Sequence, residues 1–417
     1  MKKPANSSAQ PVDPVRAKRK KTITAVICLL SIIAYFVIFA IPMGVGESLN
    51  TLMNTAYHVL MNTVFYLMAI AVIAGAISEL LSEFGVVELI NKILSPLMKP
   101  LFGMPGASAL GVVTTYLSDN PAILTLANDT KFRRFFKAYQ VPALTNLGTA
   151  FGMGLIVTSS MLALSGKLGT GVAWAALCGN LATVVGAIVS TRLMLFFMKR
   201  AFTDHDAPAV IEPEKEETVE EGEKPKGFLR VLSALMDGGK KGVDLGLAII
   251  PGVLIICSVV MMLTYGPSAG EPAVIATING KALTMTPFAY QGAAKEGIEI
   301  LPWIADKIGF LLKPLFGFSN NQALAIPVTA LGSAGAALTM IVQLVEDGAV
   351  NLNDIAVFTA ICMCWSGYLS THVSMMDALK CNRFTGKAIL CHTIGGLCAG
   401  VAAHWMFMLI NVIFHLQ

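Results

Sequence analysis

Ser118-Asp119-Asn120-Pro121 interrupts an apolar run that extends from about Ala107 to Leu126. An Asp, an Asn and a Pro in the middle of such a run are costly in a helix that simply crosses lipid. Acyl chains satisfy neither a charge nor freed backbone groups. A water-exposed loop fits poorly as well, because helix-like apolar sequence lies on both sides. The pattern predicts a re-entrant hairpin whose two half-helices, each roughly 10 residues and ~15 Å long, reach about half the hydrocarbon thickness. The tetrad becomes the tip, held near the midplane and shielded by protein. Asn120 can cap the second arm, with Pro121 at its first position. Such a cap presents the positive end of a helix dipole, which suits an anion or an electronegative group.

The surrounding composition agrees with a membrane setting. Of 417 residues, 55% are hydrophobic and 13% charged, and the mean hydropathy is +0.68. This is a polytopic, all-α membrane protein rather than a soluble globule. A net charge of +4 is too small to imply nucleic acid as a partner. The 8 cysteines lie mostly in apolar segments, and Cys362 and Cys364 lack metal-site spacing; they read as small buried hydrophobes rather than ligands. No phosphate-binding loop and no helical zinc-protease pattern occur, so an enzyme is not expected.

Taken in order, residues 1–50 form a polar N-terminus and a first span. The basic run Arg16, Lys18, Arg19, Lys20 and Lys21 precedes the apolar stretch Thr22 to Pro42. Its length and flanks indicate an uncleaved anchor with the N-terminus in the cytoplasm. The first repeat occupies residues 51–198. Its second span runs from about Tyr57 to Leu80. The amphipathic stretch Glu83 to Lys99 then reads either as a helix along the interface or as an extension of that span. The hairpin comes next, and Lys131, Arg133, Arg134 and Lys137 mark the side to which it returns. The third span, Phe135 to Leu164, has Pro142, Thr145, Asn146, Gly148, Thr149 and Gly152 near its middle. It is either unwound there, freeing carbonyls for a ligand, or kinked and bonded to its neighbours. The fourth span is Gly171 to Met198. Residues 199–241, with Glu212, Glu214, Glu216, Glu217, Glu220, Glu221 and Glu223, form a solvated cytoplasmic linker rather than a metal site.

Residues 242–417 repeat the first half. Lys313-Pro314-Leu315-Phe316-Gly317 lies 214 positions after Lys99-Pro100-Leu101-Phe102-Gly103, and the same offset sets Gly332-Ser333-Ala334-Gly335 on the tetrad. A further shift of 8 residues sets Phe358 on Phe136, Leu369 on Leu147 and Thr371 on Thr149. The fifth, sixth and seventh spans are expected at Leu245–Leu263, Ile355–Leu379 and Ala388–Phe414. The basic residues then place the two hairpins on opposite sides. About seven spans, two re-entrant hairpins and an inverted repeat are the pattern of secondary transporters, whose substrate sits near the midplane between the repeats.

The tetrad, with Tyr139-Gln140 and Asn146-Leu147-Gly148-Thr149, resembles the nucleoside-recognition (Gate) domain membrane proteins. These include the spore maturation proteins and uncharacterised bacterial inner-membrane proteins. The resemblance spans residues 50–415 as two Gate-like copies. The architecture is also similar to that of concentrative nucleoside transporters, with two opposed hairpins and two broken helices. It implies a multi-pass protein of the bacterial inner membrane, with no residue-by-residue nucleoside site carried over.

The candidate substrate and ion site gathers Ser118, Asp119 and Asn120; Thr145, Asn146 and Thr149; Ser333; and Ser366, Ser370, Thr371 and His372. Hydroxyls, amides and freed carbonyls suit a small polar solute (nucleoside-like, amino-acid-like or an organic acid) or sodium. Asp119 either couples transport to sodium or a proton, or caps the tip. His372 either titrates or is a neutral histidine bonded to a carbonyl. Beyond sodium or a proton, no cofactor and no bound metal are expected. The expected partners are membrane lipid, a small-molecule solute and further copies of the chain. The leading reading is a secondary transporter. Its alternative is a non-transporting membrane scaffold related to spore maturation proteins, and polar groups at the hairpin tips favour transport. A serine protease built on Ser333 and His372 has only a small-residue run to support it.

Overall fold

Helices make up most of the described chain. The structure, a computed structural model, describes residues 14–128, 130–209, 226–269, 273–278, 281–285 and 288–416. The acidic part of the expected linker, Glu212 to Glu223, and the side chains of the basic run Arg16 to Lys21 lie outside the described residues. α1 (Pro14–Met43) leads into α2 (Val45–Val59), which passes through a π-helical turn, Leu60–Val64, into α3 (Phe65–Glu83). α4 (Val86–Phe102) precedes the short arms α5 (Ser108–Leu117) and α6 (Pro121–Asn128) and the single turn α7 (Thr130–Arg133). α8 (Val141–Thr149) and α9 (Gly154–Ala163) are two halves of one broken crossing, and α10 (Ser165–Leu168) turns the chain into α11 (Gly171–Ala201).

The second half opens with α12 (Phe228–Gly252), a second π-helical turn, Val253–Cys257, and α13 (Ser258–Thr264). Two small antiparallel pairings follow, which the sequence reading did not anticipate. β1 (Ser268–Ala269) pairs with β4 (Phe288–Ala289), and β2 (Ala273–Ile278) pairs with β3 (Lys281–Met285). The β-branched run Val274-Ile275-Ala276-Thr277-Ile278 favours a strand. After α14 (Ile300–Lys307) and α15 (Gly309–Phe316) come the arms α16 (Ala325–Gly332) and α17 (Ala334–Glu346). The broken crossing α18 (Leu352–Cys364) and α19 (Tyr368–Ala378) and the long α20 (Thr385–Phe414) complete the chain.

Among the described residues, six helical stretches are long and apolar enough to cross a membrane: Thr22–Met43, Val45–Glu83, Ala138–Leu168, Gly171–Ala201, Phe228–Thr264 and Asn382–Phe414. This is a multi-pass membrane protein. The remaining expected crossing, Ile355–Leu379, is the pair α18 and α19, separated at Trp365-Ser366-Gly367. α12 starts well before the expected Leu245, and α11 runs past Met198, so the helices reach far into the expected linker. α4 is a helix of its own: the chain turns at Phe84 and Gly85, and Gly85 takes a left-handed φ of 76°. Leu89 and Ile93 stay exposed while Val87, Met98 and Phe102 are buried, as suits a helix lying along a boundary.

From the pentapeptide onward the repeat keeps one register. α4 and α15 both end at the glycine of the shared pentapeptide, Gly103 and Gly317, in the left-handed conformation that closes a helix. α9 begins at Gly154 and α19 at Tyr368, again 214 positions apart. The expected extra shift of 8 residues is therefore a correction: Thr371 does not take the place of Thr149. Ser366 takes that of Gly152, since both lie in the breaks. Short stretches of Phe, Ala, Leu and Thr recur by chance in apolar helices, whereas breaks in helices do not slide.

The same register relates two caps. The Gln140 side chain accepts from the Lys137 backbone N–H at 3.0 Å. Its counterpart Asp354 accepts from Asn351 N at 3.0 Å, from Ser319 N at 3.2 Å and from the Ser319 hydroxyl. Asp354 is fully buried. Asp354→Ala removes all three bonds and leaves two backbone donors unmatched, so it should destabilise the protein by about 2 kcal/mol or more, against about 1 kcal/mol for Gln140→Ala. Thermal unfolding in detergent of the two variants checks the order; equal losses would overturn it.

Charged contacts sort the helix ends into two groups. At one end Lys241 pairs with Glu79 at 2.5 Å, Arg230 pairs with Glu83, and Lys137 pairs with Asp206 at 2.6 Å. The hydrogen bond and charge of Lys137 hold the Asp206 carboxyl below the usual carboxylate range. At the other end Lys295 pairs with Asp347 at 3.0 Å, Lys167 lies 3.6 Å from Glu346, and Tyr265 donates to Asp347 at 2.7 Å. The α5–α6 hairpin enters from the first end and the α16–α17 hairpin from the second.

Candidate functional site

The α5–α6 tip meets the breaks of both discontinuous crossings. α5 ends at Ser118, whose φ of −126° and ψ of −112° leave the helical region, and α6 restarts at Pro121. Between them, Asn120 is 2% exposed. Its Oδ1 accepts from the Ser366 hydroxyl at 3.0 Å. The same hydroxyl lies 3.1 Å from the carbonyl of Thr149, so it is shared between the tip and the last residue of α8. Gly152, in the first break, and Gly367, in the second, face the two ends of the Asn120 amide. This corrects the capping role expected for Asn120: its side chain bridges the breaks rather than closing α6. The reason is competition, since a buried amide left without a partner costs about 1–3 kcal/mol and Asn120 is the buried residue of the tip.

The first break also differs from the expected one. Pro142 sits in the first turn of α8, where no helical hydrogen bond is lost, so it does not interrupt the span. The interruption lies at residues 150–153, with Met153 in the left-handed region at φ 56°. Thr145, Asn146, Gly148 and Thr149 remain helical, and every residue of α8 is buried. Thr149 Oγ1 donates back to the Thr145 carbonyl at 2.7 Å, and Thr145 Oγ1 lies 3.5 Å from Met376 Sδ. Their hydroxyls thus face their own helix and α19.

Asp119 points elsewhere. Its Oδ1 accepts from Asn120 N at 2.6 Å, and the residue lines a cavity of about 310 Å³ between α3, α12 and the hairpin. Ser118, which is exposed, and Ile156 line it as well, and Ser78, Glu79, Lys241 and Asp244 run out to the helix ends. The Lys241 side chain is 65% exposed, which puts the mouth at that end. Sequence reasoning missed Ser78, Glu79, Lys241 and Asp244. They sit on two helices whose charged residues read as ordinary cytoplasmic flanks, and only the antiparallel crossing of α3 and α12 turns them toward the tip.

The other expected site residues are dispersed. Ser333 caps α17 by accepting from Ala336 N at 3.3 Å and packs against Gly252, beside the second π-helical turn. Asn146 donates to Ser190 at 2.9 Å and to the Ala388 carbonyl at 2.9 Å, tying α8 to α11 and α20. Ser190 in turn bonds His392 Nδ1 at 3.0 Å, while His392 Nε2 bonds the Cys364 carbonyl. His372 bonds the Tyr368 carbonyl through Nδ1 at 2.8 Å, its ring 4.5 Å from that of His392. It therefore has the geometry of the carbonyl-bonded alternative. Thr371 is half-buried one turn beyond the second break, close to Gly367. The side chain of Ser370 lies outside the described residues. Among the described residues, no group of three or more His, Cys, Asp or Glu side chains is placed to hold a metal ion.

Comparison with known proteins bears on the fold. No protein-family model matches the chain, and no curated protein matches it. Among solved structures it is similar to CNTnw in an outward-facing state, at 14% identity and a TM-score of 0.50, over 96% of this chain and 87% of that one. It is also similar to CNTnw in an inward-facing substrate-bound state, at 15% identity and a TM-score of 0.49, over 95% of this chain and 87% of that one. Near-complete coverage of both chains at so low an identity makes the first of these a likeness of fold alone.

Proposed function

We propose that the protein is a secondary transporter of a small polar solute, with its site at the α5–α6 tip. The observation that carries this reading is the seat of Asn120. One hairpin tip and two helix breaks meet there, the neighbouring Asp119 lines an open cavity, and irregular backbone at membrane depth is tolerated where protein or a water-filled cavity surrounds it. The fold likeness to CNTnw, a concentrative nucleoside transporter, supports the same reading. The Lys and Arg residues around the cavity mouth favour the cytoplasm at that end, with the N-terminus inside and the cavity open inward. A bacterial inner membrane, coupling to sodium or a proton through Asp119, and assembly into a homo-oligomer belong to the proposal.

The test is uptake by purified protein in liposomes, scored across uncharged, anionic and cationic solutes with sodium or pH gradients. Asp119→Asn keeps the shape of the side chain and removes its charge. It should lower uptake by roughly tenfold or more, the size of one lost charge-assisted contact, while leaving the melting temperature within a few degrees. Unchanged uptake would remove Asp119 from the mechanism. Absence of uptake for every solute class would overturn the transporter reading itself.

A further inference from the structure

The charge of the cavity narrows what it can hold. Three carboxylates, Glu79, Asp119 and Asp244, line it against one ammonium, Lys241. Glu79 and Lys241 neutralise each other at the mouth. Among the described residues, neither Asp119 nor Asp244 pairs with a cation. Asp119 is half-buried at the helix break, with one oxygen on the Asn120 N–H, and it lines the cavity. The rest of the lining supplies little compensation: Ala71, Gly75, Leu117, Ile156, Leu245 and Ala248 offer no cationic side chain. Apolar walls of this kind focus the field of Asp119 rather than screen it, while Asp244 is exposed toward the mouth.

We infer that the cavity takes a small organic cation, a solute carrying an amine, guanidinium or quaternary ammonium group that sits against Asp119 with Asp244 toward the mouth. This rests on the transporter reading and names its substrate class. It reverses the anion preference that the hairpin dipole alone suggests. A full carboxylate charge at the tip outweighs the half charge of a helix terminus, and Asp119 already occupies the Asn120 N–H. The volume, at the lower end of the ~300–1,000 Å³ of small-molecule pockets, exceeds what a bare metal ion fills.

Ser78 lies in the cavity wall and is half-buried, which makes it a reporter position. In the full-length protein with Cys28, Cys381 and Cys398 changed to Ser, Ser78→Cys would be modified in parallel by two thiosulfonates. One carries a trimethylammonium and the other a sulfonate. At roughly pH 8, with carboxylates ionised, the cationic reagent should react at least about tenfold faster, relative to their rates with a free thiol. Adding Asp119→Asn and Asp244→Asn should collapse that ratio toward one. Millimolar agmatine, putrescine or choline should then slow the labelling, whereas sodium, uridine and succinate should not. A ratio near one in the parent, no protection by any of the three cations, or protection by the neutral or anionic solute or by sodium would each overturn the inference. A cationic preference in a protein that moves no solute would instead leave the charge assignment standing and sink the transporter reading.

Discussion

Gly152→Ala should abolish uptake in liposomes and lower the melting temperature by several degrees. An added Cβ at Gly152 would overlap Asn120 Oδ1 and Ser366 Oγ and come within 2.6 Å of Asn120 Cγ. Neither partner can step aside: Asn120 is 2% and Ser366 6% exposed. On the far side of the amide, Gly367 already sits against Nδ2. The methyl group must therefore expel the Asn120 side chain, breaking its bond to Ser366 and separating the tip from both breaks. Overpacking of this kind costs about 1–3 kcal/mol, before the loss of the buried hydrogen bond is counted. Gly166→Ala on α10 is the matched control, because nothing lies within 4 Å of the Cβ it would add. Its stability should stay within about 0.5 kcal/mol of the parent. Melting curves for the two variants, with uptake measured on the same preparations, decide the matter. Wild-type uptake by Gly152→Ala would mean that the tip need not rest in the breaks for the protein to work.

The hairpin was legible because a charge, an amide and a proline within an apolar run fit few structures besides a turn shielded by protein. The same logic located the tip at Ser118 to Pro121, where α5 stops and α6 restarts. The pentapeptide at Lys99 and Lys313 revealed the repeat because a closing glycine is fixed by backbone conformation and not by hydrophobicity. Legibility failed where several residue types serve equally well. The break at residues 150–153 contains Met153 with a positive φ and no proline, so the nearby Pro142 drew attention to the wrong turn. Asn146 and His372 looked like ligands because polar residues in apolar helices are conspicuous. Their partners, Ser190, Ala388 and the Tyr368 carbonyl, are distant helices or backbone, and a sequence does not show who answers a buried donor. Glu79 and Asp244 were overlooked for the opposite reason, since acidic residues near helix ends are commonplace until a crossing brings two of them to one cavity.

That crossing carries the second large effect. α3 and α12 run antiparallel, and the backbone of α3 at Ala71 and Val72 rests on Gly242. A Cβ there would lie 2.5 Å from Val72 Cα and 2.6 Å from the Ala71 carbonyl carbon. These are main-chain atoms, so no rotamer change relieves the overlap and the helices must part. Helix propensity alone argues the other way, because replacing a mid-helix glycine is worth up to about 1 kcal/mol. The clash decides the sign. Gly242→Val should destabilise the protein by about 3 kcal/mol, since close approach through small residues is what holds membrane helices together where lipid offers no hydrophobic drive. Gly239→Ala, three residues earlier on the same helix, separates the two contributions. The nearest atom to its added Cβ is Val72 Cγ1 at 3.6 Å, an ordinary contact. That variant should therefore keep or slightly raise the melting temperature, by the propensity gain of about 1 kcal/mol or less. Thermal unfolding of the pair in detergent gives the answer: opposite signs are expected, and a stable Gly242→Val would mean that α3 and α12 can separate without loss. Because these helices form two walls of the cavity below Asp119, a spread crossing should also expose Ser78. Labelling of Ser78→Cys in the Gly242→Val background should then lose its preference for the cationic reagent, as water enters and screens the two carboxylates.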